Sequence, residues 1–321
     1  MRAAIAFQRL ARPSPRASAR QPVRARRIVV QALIAGWLAA TAGTAAAAAV
    51  SAVDDAGLTV ALPAPAQRIV ALGPQLTEQL FAIGVGDRVV GTTEYADWPP
   101  QANAIPRVAR AHSVDLERVA ALRPDLIVLW GSGFPPATRE ALRRLGVPLF
   151  VNEPGALDSI ATSMERLGAL TAAPRAAEEA RAFRARIATL RERHASRSPV
   201  RVFYQIWQQP LMTLSGKHVL SEAIRLCGGR NVFESLTPIA PQVSIEAVIA
   251  ADPQLIATAE PDARASDALD DWRRFGAVSA VRAGQLATLD ANKLNRHGPR
   301  MADEIGVLCE RIEAARTAGA R

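Results

Sequence analysis

Short apolar runs alternate with amphipathic segments along most of the chain, and turn-forming residues separate them. The runs that have the length and composition of buried parallel strands are Arg68–Leu72, Arg88–Thr92, Asp125–Trp130, Pro148–Val151, Arg201–Ile206, Gln254–Ala259 and Gln285–Leu289. Helical periodicity occurs at Thr77–Ile83, Val114–Leu122, Pro136–Leu145, Leu157–Leu170, Val219–Leu226, Val243–Ala250 and Pro299–Ala315. Because strands and helices alternate, the pattern predicts an α/β fold with parallel sheets.

The longest helical segment lies between Pro174 and Pro199. Its apolar stripe has spacings of four and three, and consists of Ala176, Ala180, Phe183, Ile187, Leu190 and His194. A helix of about 23 residues would be about 35 Å long. The segment is either an ordinary surface helix or a connection between two lobes.

An internal repeat favours the second interpretation. Val114–Trp130 and Val243–Ala259 share seven of 17 residues without a gap. A weaker similarity relates Thr77-Glu78 to Ser221-Glu222, each followed by a glycine six residues after the glutamate. A repeat this long predicts two similar Rossmann-like lobes with parallel sheets, joined by one long backbone helix.

The net charge of +9 arises almost entirely from the start of the chain. Residues 1–27 contain eight arginines and no acidic residue, and residues 28–52 contain no charged residue. The remainder has 31 basic and 30 acidic residues, so nucleic-acid binding is not indicated. A basic start, an apolar stretch and a small-x-Ala ending at Ala52 predict a signal peptide and export to the periplasm; a membrane anchor is the alternative.

These observations divide the chain into four regions. They are a signal peptide at 1–52, an N-terminal α/β lobe at 53–172, a connecting helix at 173–199 and a C-terminal α/β lobe at 200–321. The only cysteines are Cys227 and Cys309. In an oxidising compartment an even number of cysteines favours a disulfide, and two buried thiols are the alternative.

Sequence motifs for catalysis are missing. There is no Walker A motif and no Gly-x-Gly-x-x-Gly after a strand, and no pair of carboxylates suggests an acid and base couple. The histidines are dispersed at His112, His194, His218 and His297. We therefore predict no catalytic residue and no metal site, and an exported enzyme is a remote alternative.

Aromatic residues follow several predicted strands. Trp130 ends one strand, Trp207 follows another, and Tyr95 and Trp98 lie in a proline-containing loop. Ligands of parallel α/β sheets bind beyond the carboxyl ends of the strands. We therefore predict a ligand cleft between the lobes. Polar residues after the last strand could contribute to it: Asn292, Asn295, Arg296 and Arg300.

Glu117 and Glu246 have the same position in the two repeats, at the start of equivalent helices. Each glutamate could simply stabilise its helix N-terminus. The alternative is a matched pair of charges, one per lobe, presented to a symmetric partner.

Several segments together resemble the helical-backbone (class III) substrate-binding proteins of ABC importers, and most closely the cobalamin-binding members. The resemblance covers nearly all of residues 68–315. The segments that carry it are Arg68–Gly84, YADWPPQA, LERVAALRPDLIVLW, SGK, LCGGRNVF, PQVSIEAV, RHGPR and LCERI. The resemblance implies a monomeric periplasmic receptor with rigidly joined lobes. It also implies a cobalt corrinoid as the ligand, with no cofactor of its own.

The resemblance assigns roles to individual residues. It places Tyr95, Trp130 and Arg296 in the binding cleft, and we add Trp207 as a further ligand-binding residue. Glu117 and Glu246 match the glutamates through which the family docks on its inner-membrane ABC permease and ATPase complex. Cysteines at the positions of Cys227 and Cys309 form a disulfide in the cobalamin-binding members.

The chain departs from the family pattern in the cleft. Ala111, next to His112, and Ala240 replace tryptophans, Met212 or Thr213 replaces an aromatic residue, and Asn292 replaces an acidic one. Trp207 could compensate for a lost aromatic residue. Two other ligands of the same fold stay open: haem, with Tyr95 or His112 as an iron ligand, and a ferric siderophore bound through Arg296 and Arg300.

Overall fold

The computed structural model describes residues 48–110, 113–264 and 266–319, which belong to one compact unit. Most of the predicted leader, as well as Ala111 and His112, lies outside the described residues. The strands are β1 (Val50–Val53), β2 (Thr59–Leu62), β3 (Ile69–Leu72), β4 (Val89–Thr93), β5 (Arg107–Arg110), β6 (Ser113–Val114), β7 (Leu126–Trp130), β8 (Leu149–Asn152), β9 (Val200–Tyr204), β10 (Gly229–Asn231), β11 (Leu255–Glu260) and β12 (Leu286–Asp290).

Ten α-helices occur among the described residues. They are α1 (Pro74–Ala82), α2 (Leu116–Ala121), α3 (Pro136–Arg143), α4 (Leu157–Thr171), α5 (Ala176–His194), α6 (Val219–Leu226), α7 (Ile245–Ala251), α8 (Ser279–Arg282), α9 (Ala291–Leu294) and α10 (Met301–Ala318). Short 3-10 helices occupy Gly86–Arg88, Pro100–Ala104 and Asp270–Arg274. None of these described helices combines the length and the hydropathy needed to cross a bilayer.

One sheet is formed by strands that precede α5 in the sequence, and a second by strands that follow it. The large sheet has the strand order β6-β5-β4-β3-β7-β8, and all its pairings are parallel except that of β5 with β6. The small sheet has the order β10-β9-β11-β12 and is entirely parallel. The predicted fold class is therefore confirmed: α/β, with a parallel sheet in each half. We call residues 48–172 the large-sheet half and residues 200–319 the small-sheet half.

The connecting helix α5 buries the predicted stripe between both halves. Phe183 and Ile187 are buried, and α5 packs against α4 of the large-sheet half and α10 of the small-sheet half. One hydrophobic core runs from Phe150 through Phe183 to Val202, so it includes both halves and the helix. An ion pair between Arg186 and Asp303 further links α5 to α10.

Close contact between helices explains one glycine. Gly168 of α4 faces Ala176 at the start of α5, and a Cβ on Gly168 would lie 2.2 Å from the Cβ of Ala176. Real Cβ atoms do not approach so closely, so only glycine lets α4 and α5 pack at this distance.

The repeat extends to the backbone conformation. Asp115 caps α2 by accepting a hydrogen bond from the N–H of Arg118, and Ser244 caps α7 in the same way. The equivalent residues Arg123 and Asp252, each followed by a proline, both have the left-handed conformation, with φ of 46° and 40°. This conformation is uncommon for residues other than glycine, so its recurrence identifies two copies of one unit.

The two cysteines form the predicted disulfide. Cys227 follows α6, Cys309 lies on α10, and both are buried. The bond joins positions 82 residues apart and ties the last helix to the small-sheet half.

Three features differ from the sequence prediction. Strand β1 begins at Val50, so Val50–Ala52 of the predicted leader are paired with β2, and cleavage after Ala52 would remove most of that strand. Helix α1 begins at Pro74, three residues before the predicted Thr77. Strands β5, β6 and β10 were not predicted from the sequence, because each is short, lacks a continuous apolar run and is specified by pairing with its neighbours.

Candidate ligand-binding site

The loops after strands of both sheets meet between the two halves. Glu78 lies on α1, which follows β3, and Asp97 lies in the loop after β4. Arg296 and Arg300 follow β12 of the small sheet: Arg296 contacts both carboxylates, and Arg300 contacts Glu78. The carboxyl ends of the two sheets therefore face a common cleft, where parallel α/β sheets bind ligands.

Glu78 is the centre of a buried ion-pair network. Its side chain is only 2% exposed. Arg300 donates from Nε to Oε2 at 2.9 Å and from Nη2 to Oε1 at 2.6 Å, and Arg296 donates from Nη1 to Oε1 at 3.1 Å. Such two-pronged guanidinium–carboxylate contacts fix the geometry as well as the charge. The network holds the two halves together at the floor of the cleft.

Arg296 has a second carboxylate partner. Its Nη1 donates to Oδ1 of Asp97 at 2.6 Å, and its Nη2 donates to Oδ1 of Asn292 at 2.9 Å. Burial pushes the pKa of Asp97 up, but the hydrogen bond and charge of Arg296 outweigh it and hold the pKa below its usual value. Arg296, which was predicted to bind the ligand, is only 11% exposed and is already paired with residues of this chain.

Arg300 also stacks on an aromatic ring. Its guanidinium carbon lies 4.5 Å from the centre of the Trp98 ring, within the range of a cation–π contact. Next to this contact is a cavity of about 400 Å³, lined mainly by apolar side chains that include Phe81, Pro99 and Pro299.

The weaker repeat also contributes contacts between the halves. Glu222, the counterpart of Glu78, accepts a hydrogen bond from the N–H of Leu157 at 2.9 Å. The two related glutamates thus each contact the opposite half. Gln79 adds a further link, because its Nε2 donates to the carbonyl of His297 at 2.8 Å.

His297 is buried at this junction. Desolvation, with a smaller effect from the charge of His218, lowers the pKa of His297 to about 4. The rings of His297 and His218 are 6.5 Å apart, and burial also lowers the pKa of His218. Both imidazoles are therefore neutral near pH 7.

A second cavity, of about 460 Å³, lies at the carboxyl ends of β9 and β11. Trp207 lines it and is 62% exposed. Its indole N–H donates to the carbonyl of Gln209 at 2.9 Å, and an antiparallel bridge to Met212 fixes its backbone. The ring is therefore held in place with much of its surface accessible, as a ligand platform requires.

The other predicted aromatic residues have different surroundings. Tyr95 is 64% exposed in the loop after β4. Trp130 is partly buried against the turn at Gly133, where a Cβ would lie 2.4 Å from its ring. The indole nitrogen of Trp130 is buried and has no hydrogen-bond partner among the described residues.

The sequence analysis did not assign Glu78, Asp97 or Glu260 to the site. Glu78 was visible only as part of the weaker repeat, and Asp97 as part of the aromatic loop. Glu260, the last residue of β11, lines the cavity beside Trp207. The only feature of the sequence that could have identified Glu260 as a site residue was its position at the end of a strand.

Glu117 and Glu246 lie in the first turns of α2 and α7, each two residues after the capping residue. Both are exposed. The pKa of Glu246 is lowered by hydrogen bonds from its own backbone N–H and from the hydroxyl of Ser244. The structure therefore presents one charged carboxylate at equivalent surface positions of each half.

The fold and cleft define a two-half receptor of the α/β class, and the sequence profile of periplasmic binding proteins matches residues 69–293. The chain belongs to the periplasmic binding protein family. It is 40% identical over 258 residues to the vitamin B12-binding protein of Vibrio cholerae serotype O1, across 80% of this chain and 92% of that protein.

Solved structures show the same relationship. The periplasmic vitamin B12-binding protein of Vibrio cholerae superposes with a TM-score of 0.71 at 39% identity, over 78% of this chain and 98% of that chain. The periplasmic haem-binding protein of Roseiflexus sp. RS-1 in its apo form gives a TM-score of 0.69 at 25% identity, over 78% and 99% of the two chains.

Proposed function

We propose that this protein is the substrate-binding component of an ABC importer, and that it captures cobalamin or a related corrinoid in the cleft between its halves. The observation that carries the proposal is the 40% identity to a vitamin B12-binding protein over 92% of that protein's length. Exposed Tyr95 and Trp207, together with Trp130 and Arg296, are the proposed ligand-binding residues. The protein acts as a monomer without a cofactor of its own.

Haem is the second candidate ligand. It is favoured by the similarity to a haem-binding protein of the same fold and by the exposed phenol of Tyr95, which could ligate iron. A ferric siderophore is less well supported, because Arg296 and Arg300 are already engaged by carboxylates.

Calorimetric titration of the purified protein with cyanocobalamin, haemin and a ferric hydroxamate in parallel tests the proposal. Cyanocobalamin should bind with a Kd below about 10 µM, which corresponds to about 7 kcal/mol. Trp207→Ala should weaken binding at least about tenfold by removing the ring platform. Leu58→Ala, at another exposed apolar residue between β1 and β2, is the control. If haemin alone binds tightly, haem replaces cobalamin as the proposed ligand.

We propose that Glu117 and Glu246 dock the receptor on the inner-membrane permease and ATPase complex. Their exposure, their equivalent positions and the absence of ion pairs to them among the described residues support this role. Reversing both charges with Glu117→Arg and Glu246→Arg should abolish uptake and leave ligand affinity unchanged. A matched reversal at exposed Glu140 and Glu310 should leave uptake intact. Uptake by the first double variant would contradict the docking role.

We also propose export to the periplasm with removal of the leader, and lobes at 50–172 and 200–321 joined by the segment 173–199, with the predicted start at 53 moved back so that the first lobe includes all of β1. Because β1 begins at Val50, cleavage within the run Ala45–Ala49 would preserve that strand. Intact mass of the exported protein should identify a first residue between 46 and 50. A mature chain that begins at Val53 would contradict this placement.

A further inference from the structure

The cavity beside Trp207 is polar and lacks a cation. Its lining includes Gln208, Gln209, Thr258 and Glu260, and no Lys, Arg or His occurs among the described residues that line it. Gln208 donates from its Nε2 to Asp271 at 2.8 Å, which leaves the carbonyl oxygen of its amide as an acceptor. The cavity therefore offers uncharged polar groups and one carboxylate, without a cationic side chain among the described residues that line it.

Glu260 is the source of that charge. It is half-buried at the end of β11, and its carboxylate has no hydrogen bond or ion pair within the part of the chain that the structure describes. The phenol of Tyr204 lies close enough for Glu260 to add to the effect of burial, which raises the pKa of Tyr204. Its oxygens are therefore free to accept hydrogen bonds from a ligand that enters the cavity.

The neighbouring cations do not offset this charge. Arg296 is paired with Glu78 and Asp97, and Arg300 is paired with Glu78 and stacked on Trp98. The two guanidiniums are thus balanced by two carboxylates of the chain itself. A ligand carboxylate that enters beside Trp207 would meet Glu260, and none of the described residues that line the cavity carries a positive charge to compensate for its desolvation.

We propose that Glu260 selects ligands whose periphery carries amides and rejects ligands whose periphery carries carboxylates. An amide NH₂ can donate to Glu260, whereas a carboxylate is repelled by it, so the same residue provides both attraction and rejection. This inference rests on the proposed function. It separates a corrinoid with intact amide side chains from haem, which carries two propionates.

Ligands that differ only in these side chains provide the test. Dicyanocobinamide and dicyanocobyrinic acid share the corrin ring and cobalt, but the first carries amides and the second carboxylates. Wild-type protein should prefer cobinamide. Glu260→Gln should strengthen cobyrinic acid binding about tenfold, equivalent to about 1.4 kcal/mol, and change cobinamide binding by less than about threefold. Glu260→Lys should strengthen binding of cobyrinic acid and haemin further and weaken that of cobinamide.

The control is Glu310→Gln, an exposed glutamate on α10 that should leave both affinities unchanged. Thermal melting verifies that each variant is folded. If Glu260→Lys is not folded, Glu260→Gln decides the outcome. An unchanged affinity ratio in Glu260→Gln overturns the selectivity inference while the proposed function stands. Failure of the wild type to bind any corrinoid overturns the proposed function, and the inference with it.

Discussion

Replacement of Glu78 by glutamine should be far more destabilising than the loss of an exposed glutamate. Glu78 is 2% exposed, and its partners Arg296 and Arg300 are 11% and 19% exposed. Breaking a buried ion pair by removing one partner costs about 3–5 kcal/mol, because the remaining charge is left uncompensated. Glutamine retains one acceptor oxygen, and Arg296 keeps Asp97, so we expect the lower end, about 3 kcal/mol.

Urea unfolding followed by far-UV circular dichroism measures this effect. With a slope of about 2–3 kcal/mol per molar urea, the midpoint should fall by about 1 M. Glu94→Gln is the matched control, because Glu94 contacts exposed Arg110 at 3.9 Å and should cost less than about 0.5 kcal/mol. A change below about 0.5 kcal/mol for Glu78→Gln would refute the reasoning. A double-mutant cycle with Arg300→Gln should give a coupling energy above about 1 kcal/mol.

Replacing both cysteines by serine should lower the free energy of unfolding by about 4–5 kcal/mol, the value that the chain-entropy model gives for an 82-residue loop. Urea unfolding measures this change, and a midpoint equal to that of the wild type would contradict the prediction. Because the pKa of His297 is about 4 instead of 6.5, stability should be complete above pH 6.5 and fall by about 3 kcal/mol towards pH 4. His297→Asn should flatten this dependence; an unchanged slope would count against burial of the imidazole. Gly168→Ala should cost about 1–3 kcal/mol through its clash with Ala176. In the same urea-unfolding experiment, Gly306→Ala should stabilise α10 by up to about 1 kcal/mol, because there is open space around Gly306. Equal effects of the two substitutions would refute the packing argument.

The sequence predicted the main architecture because its strongest signals are local. Continuous apolar runs identified β3 and β7, and periodicity identified α6 with the observed bounds Val219–Leu226. The repeat predicted two sheets and equivalent helix starts at α2 and α7. Strand β10, with the sequence Gly-Arg-Asn, has no intrinsic strand preference and depends on pairing with β9.

The site was less predictable because its contacts are long-range. Arg296 could be identified as a cleft residue, but its pairing with Glu78 joins positions 218 residues apart. No local pattern shows that a charged residue is already neutralised by its own chain. The exposure of Trp207 and the unpartnered state of Glu260 depend likewise on how the loops of the small-sheet half are arranged.

The continuous core through Phe183 has a consequence for ligand release. Moving the halves far apart would expose apolar surface at α5 and break the ion pairs of Glu78. Under the proposed function, a ligand would therefore be released by displacing the loops around it while the halves stay joined. The receptor would then keep its core intact through each cycle of binding and release.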